Sequence, residues 1–262
     1  RNHDDNIAQI ASRFVDARRS ATALPDYPGV IPDDLADAYA VQDAAIALSK
    51  GEIVGWKVGR INPPLGGVDR LVGPIFASVP AAPAATPVAM PVFEGGFAAA
   101  EAEYLLRIGT APDSMRRHFT LAEATAMIDA VHIGIEIASS PFPGINDLGA
   151  GVTISDFGNN NGLVVGGAIA DWRRQNLLDW PVELMINGKL IGTGMAATML
   201  DGPFGAARFL FELMAERGIG LKAGQWISTG AVTGVHRVAI GDRVEARFNA
   251  QLSVHCTIKA EG

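Results

Sequence analysis

Two apolar, strand-like segments carry carboxylates where a buried strand ordinarily tolerates none, and this constrains the fold more than any other feature of the chain. The first, Phe97–Ile108, reads Phe-Ala-Ala-Ala-Glu-Ala-Glu-Tyr-Leu-Leu-Arg-Ile and carries Glu101 and Glu103; the second, His132–Ala138, reads His-Ile-Gly-Ile-Glu-Ile-Ala and carries Glu136. Residues two apart on a strand share a face, so Glu101 and Glu103 project together. Burying one ionised carboxylate is costly, and neighbouring carboxylates repel unless a cation compensates them. A hard divalent ion is the natural compensation, because an all-oxygen ligand set suits Mg2+ or Mn2+ better than Zn2+. The alternative is a solvent-facing strand edge, with Glu136 independent of the other two.

Composition narrows the class. A chain of 262 residues that is 48% hydrophobic can bury a sizeable core, as one large domain or as a small lobe with a larger one. A net charge of −7 gives no basic footprint for nucleic acid or an anionic membrane. The single cysteine, Cys256, excludes an internal disulfide and fits a reducing, cytoplasmic setting. It alternates with Leu252, Val254 and Ile258, which reads as a packed strand thiol rather than a nucleophile. No apolar run reaches the ~20 residues of a membrane span. The N-terminus is too polar for a signal peptide, and an initial Arg leaves a leader or processed start open.

The opening of the chain reads as two amphipathic helices. Ile7, Ile10, Ala11, Phe14 and Val15 keep helical spacing, Leu24–Gly29 breaks the chain, and Pro32 opens a second stripe that ends at Gly51. Val79–Pro91, rich in Pro and Ala, reads as an irregular crossing segment and a boundary. Thr120-Leu-Ala-Glu123 is a capping box for a helix running towards Val131. Asp201-Gly-Pro203 opens another helix, which stops at Gly218. Strands dominate the remainder. Asn187-Gly188 predicts a type I′ hairpin, and Val244–Phe248 and Leu252–Lys259 alternate apolar against polar. Strands without regular βαβ alternation argue for α+β rather than a doubly wound sheet. The expected division is an N-terminal α-rich lobe over residues 1–78 and a metal-binding domain over 79–262.

Lys57, in Gly55-Trp-Lys-Val-Gly59, is the next candidate. Flanking glycines let backbone approach a ligand, and apolar neighbours predict a lowered lysine pKa; the alternative is an ammonium snorkelling to solvent. Asp156–Gly162 either carries ligands or turns the chain. Gly192-Thr-Gly-Met-Ala-Ala197 matches a loose dinucleotide fingerprint, but it follows the second arm of a hairpin, so that reading is rejected. His132 sits four residues before Glu136, in strand sequence, and is given a structural role.

Taken in order, these motifs resemble the fumarylacetoacetate hydrolase superfamily, in its branch of 2-keto-4-pentenoate hydratases and 4-oxalocrotonate decarboxylases. The resemblance runs from Asp37-Ala-Tyr-Ala-Val-Gln42 through Gly55–Gly59, Glu101-Ala-Glu103, Gly134-Ile-Glu-Ile137, Asp156–Gly162 and Gly192-Thr-Gly194 to Leu221–Gly224 and Ser228-Thr-Gly230. It implies a mixed β-roll holding the metal, with a smaller N-terminal α-rich part. It implies that Glu101, Glu103 and Glu136 bind Mg2+ or Mn2+, that Lys57 is catalytic, and that Asp156, Ser228, Thr229 and Gly230 line the substrate pocket. The implied reaction is hydration of a 2-hydroxy-2,4-dienoate to a 4-hydroxy-2-oxo acid in aromatic-compound catabolism. Decarboxylation of a 2-oxo acid of the 4-oxalocrotonate type and C–C hydrolysis of an acylpyruvate are the alternatives. The implied partners are a small 2-oxo or 2-enol acid, further copies of the chain in a homo-oligomer, and an upstream or downstream pathway enzyme. One departure stands out. Where hydratases of this branch carry an acidic residue shortly after the lysine motif, this chain reads Val72-Gly-Pro-Ile-Phe76. For a decarboxylase substrate, Arg60 or Arg70 is the candidate cation for a second carboxylate. For the hydrolase reading, His3 is the only histidine before residue 118.

Overall fold

The computed structural model describes residues 2–262. In chain order its elements are α1 (His3–Ser20), α2 (Leu35–Leu48), β1 (Gly55–Leu65), β2 (Val68–Ile75), β3 (Ser78–Pro80), β4 (Val88–Val92), β5 (Phe97–Ile108) and α3 (Leu121–Ala126). There follow β6 (Ile128–Ser140), α4 (Ala150–Ser155), β7 (Asn160–Ala168), β8 (Val182–Ile186), β9 (Lys189–Gly194) and α5 (Gly202–Arg217). The chain ends with β10 (Trp226–Ser228), β11 (His236–Arg237), β12 (Arg243–Phe248) and β13 (Leu252–Ala260).

The strands form two mixed sheets. The larger runs β2-β1-β10-β5-β6-β7-β3, with β11 also paired to β5, and the smaller runs β4-β13-β12-β8-β9. Most pairings are antiparallel, but β1 is parallel to β10, β3 to β7 and β13 to β4. This is the expected α+β architecture. Strands β1 and β2 precede residue 79, yet they pair within the large sheet.

Strand alternation sorts β5 and β6 between two cores. Ala100, Ala102, Tyr104, Leu106 and Ile108 of β5, with Ile133, Ile135 and Ile137 of β6, pack against Leu184, Val244, Phe248, Val254, Cys256 and Ile258 of the small sheet. On the opposite face, Phe97, Ala99 and Ala138 pack with Ile10, Phe14, Val15, Val41 and Ala45 of the helices. Glu101, Glu103 and Glu136 belong to this second face by parity. Both sides of these strands are therefore packed over part of their length, and the carboxylates lie buried on the side of the helical layer.

Several local expectations hold in detail. The Thr120–Glu123 capping box forms with both reciprocal hydrogen bonds. Asn187 and Gly188 both take positive φ, 52° and 77°, as a type I′ turn requires. Pro203 lies in the first turn of α5, and Gly218 closes that helix in the left-handed region.

Others are corrected. Helix α2 begins after Asp34 rather than at Pro32, because the Asp34 carboxylate caps the N–H of Asp37, and it ends at Ser49 before Gly51. Helix α3 stops at Ala126 with Met127 as its cap, since Ile128 and the β-branched residues beyond it enter β6. The segment Val79–Pro91 is not irregular throughout: it holds most of β3 and β4. Its prolines masked this, but β4 is an edge strand, where a residue without an N–H is tolerated.

Candidate functional site

The three glutamates converge because of register. Glu101 stands directly opposite Glu136 in the β5–β6 ladder, and Glu103 lies one pleat further on the same face, opposite Gly134. One oxygen from each carboxylate lies within 4.8 Å of the others. They are 6%, 1% and 0% exposed, so no solvent screening relieves their repulsion.

Each carboxylate is held separately. Glu103 Oε2 accepts hydrogen bonds from Ser228 Oγ and from the Gly230 N–H at 2.9 Å. Glu136 Oε2 accepts from Asn160 Nδ2 at 2.8 Å, whereas its Oε1 is buried with no hydrogen-bond partner. Lys57 Nζ lies 3.6 Å from that oxygen and donates to the Gly158 carbonyl at 2.7 Å. One ammonium cannot balance three carboxylates. Burial and the neighbouring charges of Glu136 and Glu103 push the Glu101 carboxyl well above its usual range. Burial and the charge of Glu136 raise Glu103 to about 8. A converging all-oxygen donor set with an orphaned buried oxygen and excess negative charge fits a hard divalent cation such as Mg2+ or Mn2+.

Lys57 departs from expectation. Burial alone would lower its pKa, but the charges of Glu136, Glu101 and Glu103 outweigh that and raise it. It is an ammonium at neutral pH, not a snorkelling or neutral amine.

The turn that holds Lys57 depends on two glycines. Gly158 has φ 63°, and a Cβ there would come within 2.7 Å of Lys57 Cδ. Gly73 faces Lys57 across the β1–β2 ladder, and a Cβ on it would run into the Phe157 carbonyl. The Val72–Phe76 stretch, noted for its missing acid, is thus a backbone-packing surface beside the lysine.

The remaining expected residues fall into two groups. Thr229 and Gly230 border the cavity, although the Thr229 hydroxyl is committed to the Tyr104 carbonyl at 2.7 Å. Ser228 is wholly buried and serves Glu103. Asp156 is 1% exposed and faces away from the cavity: Arg18 grips both its oxygens, at 2.6 and 3.1 Å, and Ser140 Oγ donates at 2.6 Å. Sequence reasoning missed Arg18, Asn160 as the partner of Glu136, and Arg237. Only Asn160 had a visible signal, as a polar residue inside the Asp156–Gly162 segment.

A cavity of about 910 Å³ opens over the triad, and its ionisable lining consists of Lys57, Arg60, Arg70, Glu101, Glu103 and Arg237. Arg70 is paired with Asp201 at 2.5 Å, a carboxylate it shares with Arg208 at 2.8 Å. Arg60, directly opposite Arg70, alternates to the face of β1 away from Lys57. Neither is the cation nearest the triad face. His132 Nδ1 donates to the Gly166 carbonyl, 2.8 Å away, and the ring meets Trp226 edge-on, a structural placement. Cys256 is buried in the core, which pushes its thiol up to about 12. Strand β9, bearing Gly192 and Gly194, is the arm of an antiparallel hairpin, a context foreign to dinucleotide binding.

No family model matches the chain. Among curated proteins, it is 28% identical to a 4-oxalocrotonate decarboxylase of Pseudomonas putida over 51% of the chain, a match spanning about half (50%) of that relative. It is 28% identical to a 2-keto-4-pentenoate hydratase of Burkholderia vietnamiensis over 97% of the chain and 98% of the relative. Among solved structures, a 4-oxalocrotonate decarboxylase from Pseudomonas putida G7, complexed with magnesium and adipate, superposes with a TM-score of 0.80 at 23% identity, covering 97% of this chain and 98% of that one.

Proposed function

We propose that this chain, whose relatives and structural neighbours are those of the hydratase–decarboxylase branch of the fumarylacetoacetate hydrolase superfamily, is a divalent-metal-dependent lyase acting on a small 2-oxo or 2-enol acid. Glu101, Glu103 and Glu136 would hold Mg2+ or Mn2+. When bound, that ion supplies a Lewis acid for the substrate's C1 carboxylate and C2 oxygen. Lys57 keeps its charge beside the triad, and the Gly158 carbonyl fixes its direction. It stabilises negative charge gathering on the C2 oxygen and can pass it a proton. Thr229 and Gly230 wall the same space, while Ser228 and Asp156 hold Glu103 and the Gly158 turn in place.

The observation favouring decarboxylation over hydration is the cavity's ionisable lining of carboxylates, one lysine and arginines. Hydration needs a group to activate water. Decarboxylation needs a cation beside the C2 oxygen that takes up the electron pair and a second one for the distal carboxylate; Lys57 supplies the first and an arginine of the lining the second. In a 2-oxo-3-hexenedioate, the C5–C6 bond breaks and C6 leaves as CO2. The electron pair moves through the conjugated chain to the C2 oxygen, which takes a proton to give 2-hydroxypenta-2,4-dienoate. Hydration of that dienoate is the second reading, favoured by the full-length match to a hydratase.

Both readings are tested with purified protein in Mg2+, Mn2+ or EDTA. Metal-dependent CO2 release from 4-oxalocrotonate supports the first. Formation of 4-hydroxy-2-oxopentanoate from the dienoate, without CO2 release from the dicarboxylate, replaces it with the second. Turnover undiminished by EDTA after exhaustive metal removal would sink both.

A further inference from the structure

We infer that Arg237 is the specificity-determining residue that receives the distal carboxylate of a dicarboxylate substrate whose C1–C2 end lies at the glutamate triad, an inference that rests on the lyase reading. Strand β11 pairs with β5 so that Arg237 stands directly opposite Ala99. Residues directly opposed on antiparallel strands share a face, and Ala99 shares its face with Glu101. The Arg237 side chain therefore rises from the triad's side of the sheet. Two residues of strand separate Ala99 from Glu101, about 7 Å. The guanidinium leans over Phe97, two residues beyond Ala99 on the side away from Glu101, and the long, flexible Arg237 side chain sets its reach across the cavity towards a diacid held at the triad.

The chemistry of Arg237 suits a distal carboxylate. It is exposed and lines the cavity, with its guanidinium carbon 4.4 Å from the centroid of the Phe97 ring. Resting on an aromatic ring uses none of its five N–H donors, so a planar fork remains for a carboxylate. No carboxylate pairs with it among the described residues. The other two cavity arginines are placed otherwise: Arg70 is held by Asp201, and Arg60 alternates away from Lys57. Arg237 is thus the arginine that the sheet register puts on the reacting face.

Adipate and hexanoate serve as probes that differ only in the distal carboxylate. Their binding to Mg2+-loaded protein is measured by calorimetry for wild type, Arg237→Gln and Arg237→Lys, with thermal melts to verify folding. Wild type is expected to prefer adipate by about 10- to 100-fold, the range of a charge-assisted hydrogen bond. Arg237→Gln should collapse the preference to near unity, and Arg237→Lys should restore part of it. Equal affinities in wild type, or a preference that survives Arg237→Gln, would overturn the assignment. Turnover of 4-oxalocrotonate is read in a separate assay. Absent turnover with an Arg237-dependent preference would count against the lyase reading and in favour of the subsite.

Discussion

At the scale of single residues, the triad and Lys57 are best understood as a charge balance that the protein alone leaves unfinished. Lys57→Met should lower kcat by about 10²- to 10⁴-fold, the usual worth of a positioned proton donor. Mn2+ binding, followed by calorimetry, should persist or tighten, because a competing cation is gone. The glutamates predict an unusual stability profile in EDTA. The folded-state pKa of Glu103, about 8, lies above its ordinary value of 4.5, so the fold retains a proton that the unfolded chain releases. Stability from this source is fully present below about pH 4.5 and is lost as pH rises through about 8. Glu101, also raised, acts in the same direction. Urea melts of metal-free protein at pH 5, 7 and 9 should show falling stability, and saturating Mg2+ should flatten that slope by replacing the protons. A metal-free protein most stable at pH 9 would contradict this account.

At the scale of elements, the last turn of α1 reaches across the molecule to the turn that carries Gly158. Arg18 holds Asp156, donates to the Ser139 carbonyl at 3.1 Å and lies near the rings of Phe93 and Phe157. Removing it leaves a buried carboxylate uncompensated, a loss of about 3–5 kcal/mol. Arg18→Met should therefore lower Tm by roughly 10 °C for a chain of this size. Hydrogen exchange should quicken at Phe157–Asn160, the turn that positions Lys57, and unchanged exchange there would refute the coupling. Nothing local in the sequence of α1 announces this role. Its amphipathic stripe was legible because helical periodicity is a short-range property. The partner of Arg18 lies 138 positions away, and such pairings depend on how elements dock. The same distinction explains Asp156. Its polar, glycine-rich setting marked it as special, but only the packed structure shows it turned towards Arg18 rather than the cavity.

At the scale of the whole molecule, the strands and the acidic triad were legible because carboxylates in apolar alternation conflict with burial unless something resolves the conflict. The pairing order was not legible. Alternation identifies a strand and its faces, but it does not reveal that β1 lies beside β10 or that β13 inserts between β4 and β12. Those choices set which arginine rises from the triad's face, and the sequence reading offered Arg60 or Arg70 without singling out Arg237. The inserted position of β13 carries a further expectation. Deleting residues 252–262 removes Val254, Cys256 and Ile258 from the main core, leaves β4 without a strand partner and leaves β12 paired only with β8. Such a truncated chain should be recovered in the insoluble fraction, and a soluble, cooperatively melting product would disprove this.

That insertion also bears on how the protein comes into being in a cell. Synthesis proceeds at about 5–20 residues per second, so β4 and β5 leave the ribosome well before β13 exists to separate β4 from solvent. Until then the nascent chain presents an unsatisfied edge and half a core, the surfaces that chaperones recognise and that neighbouring chains stick to. The strands bearing the glutamates are made early, but Ser228 and Arg237 arrive late. Closure of the small sheet, and with it the cover over the glutamate-bearing strands, therefore waits until β13 has been made.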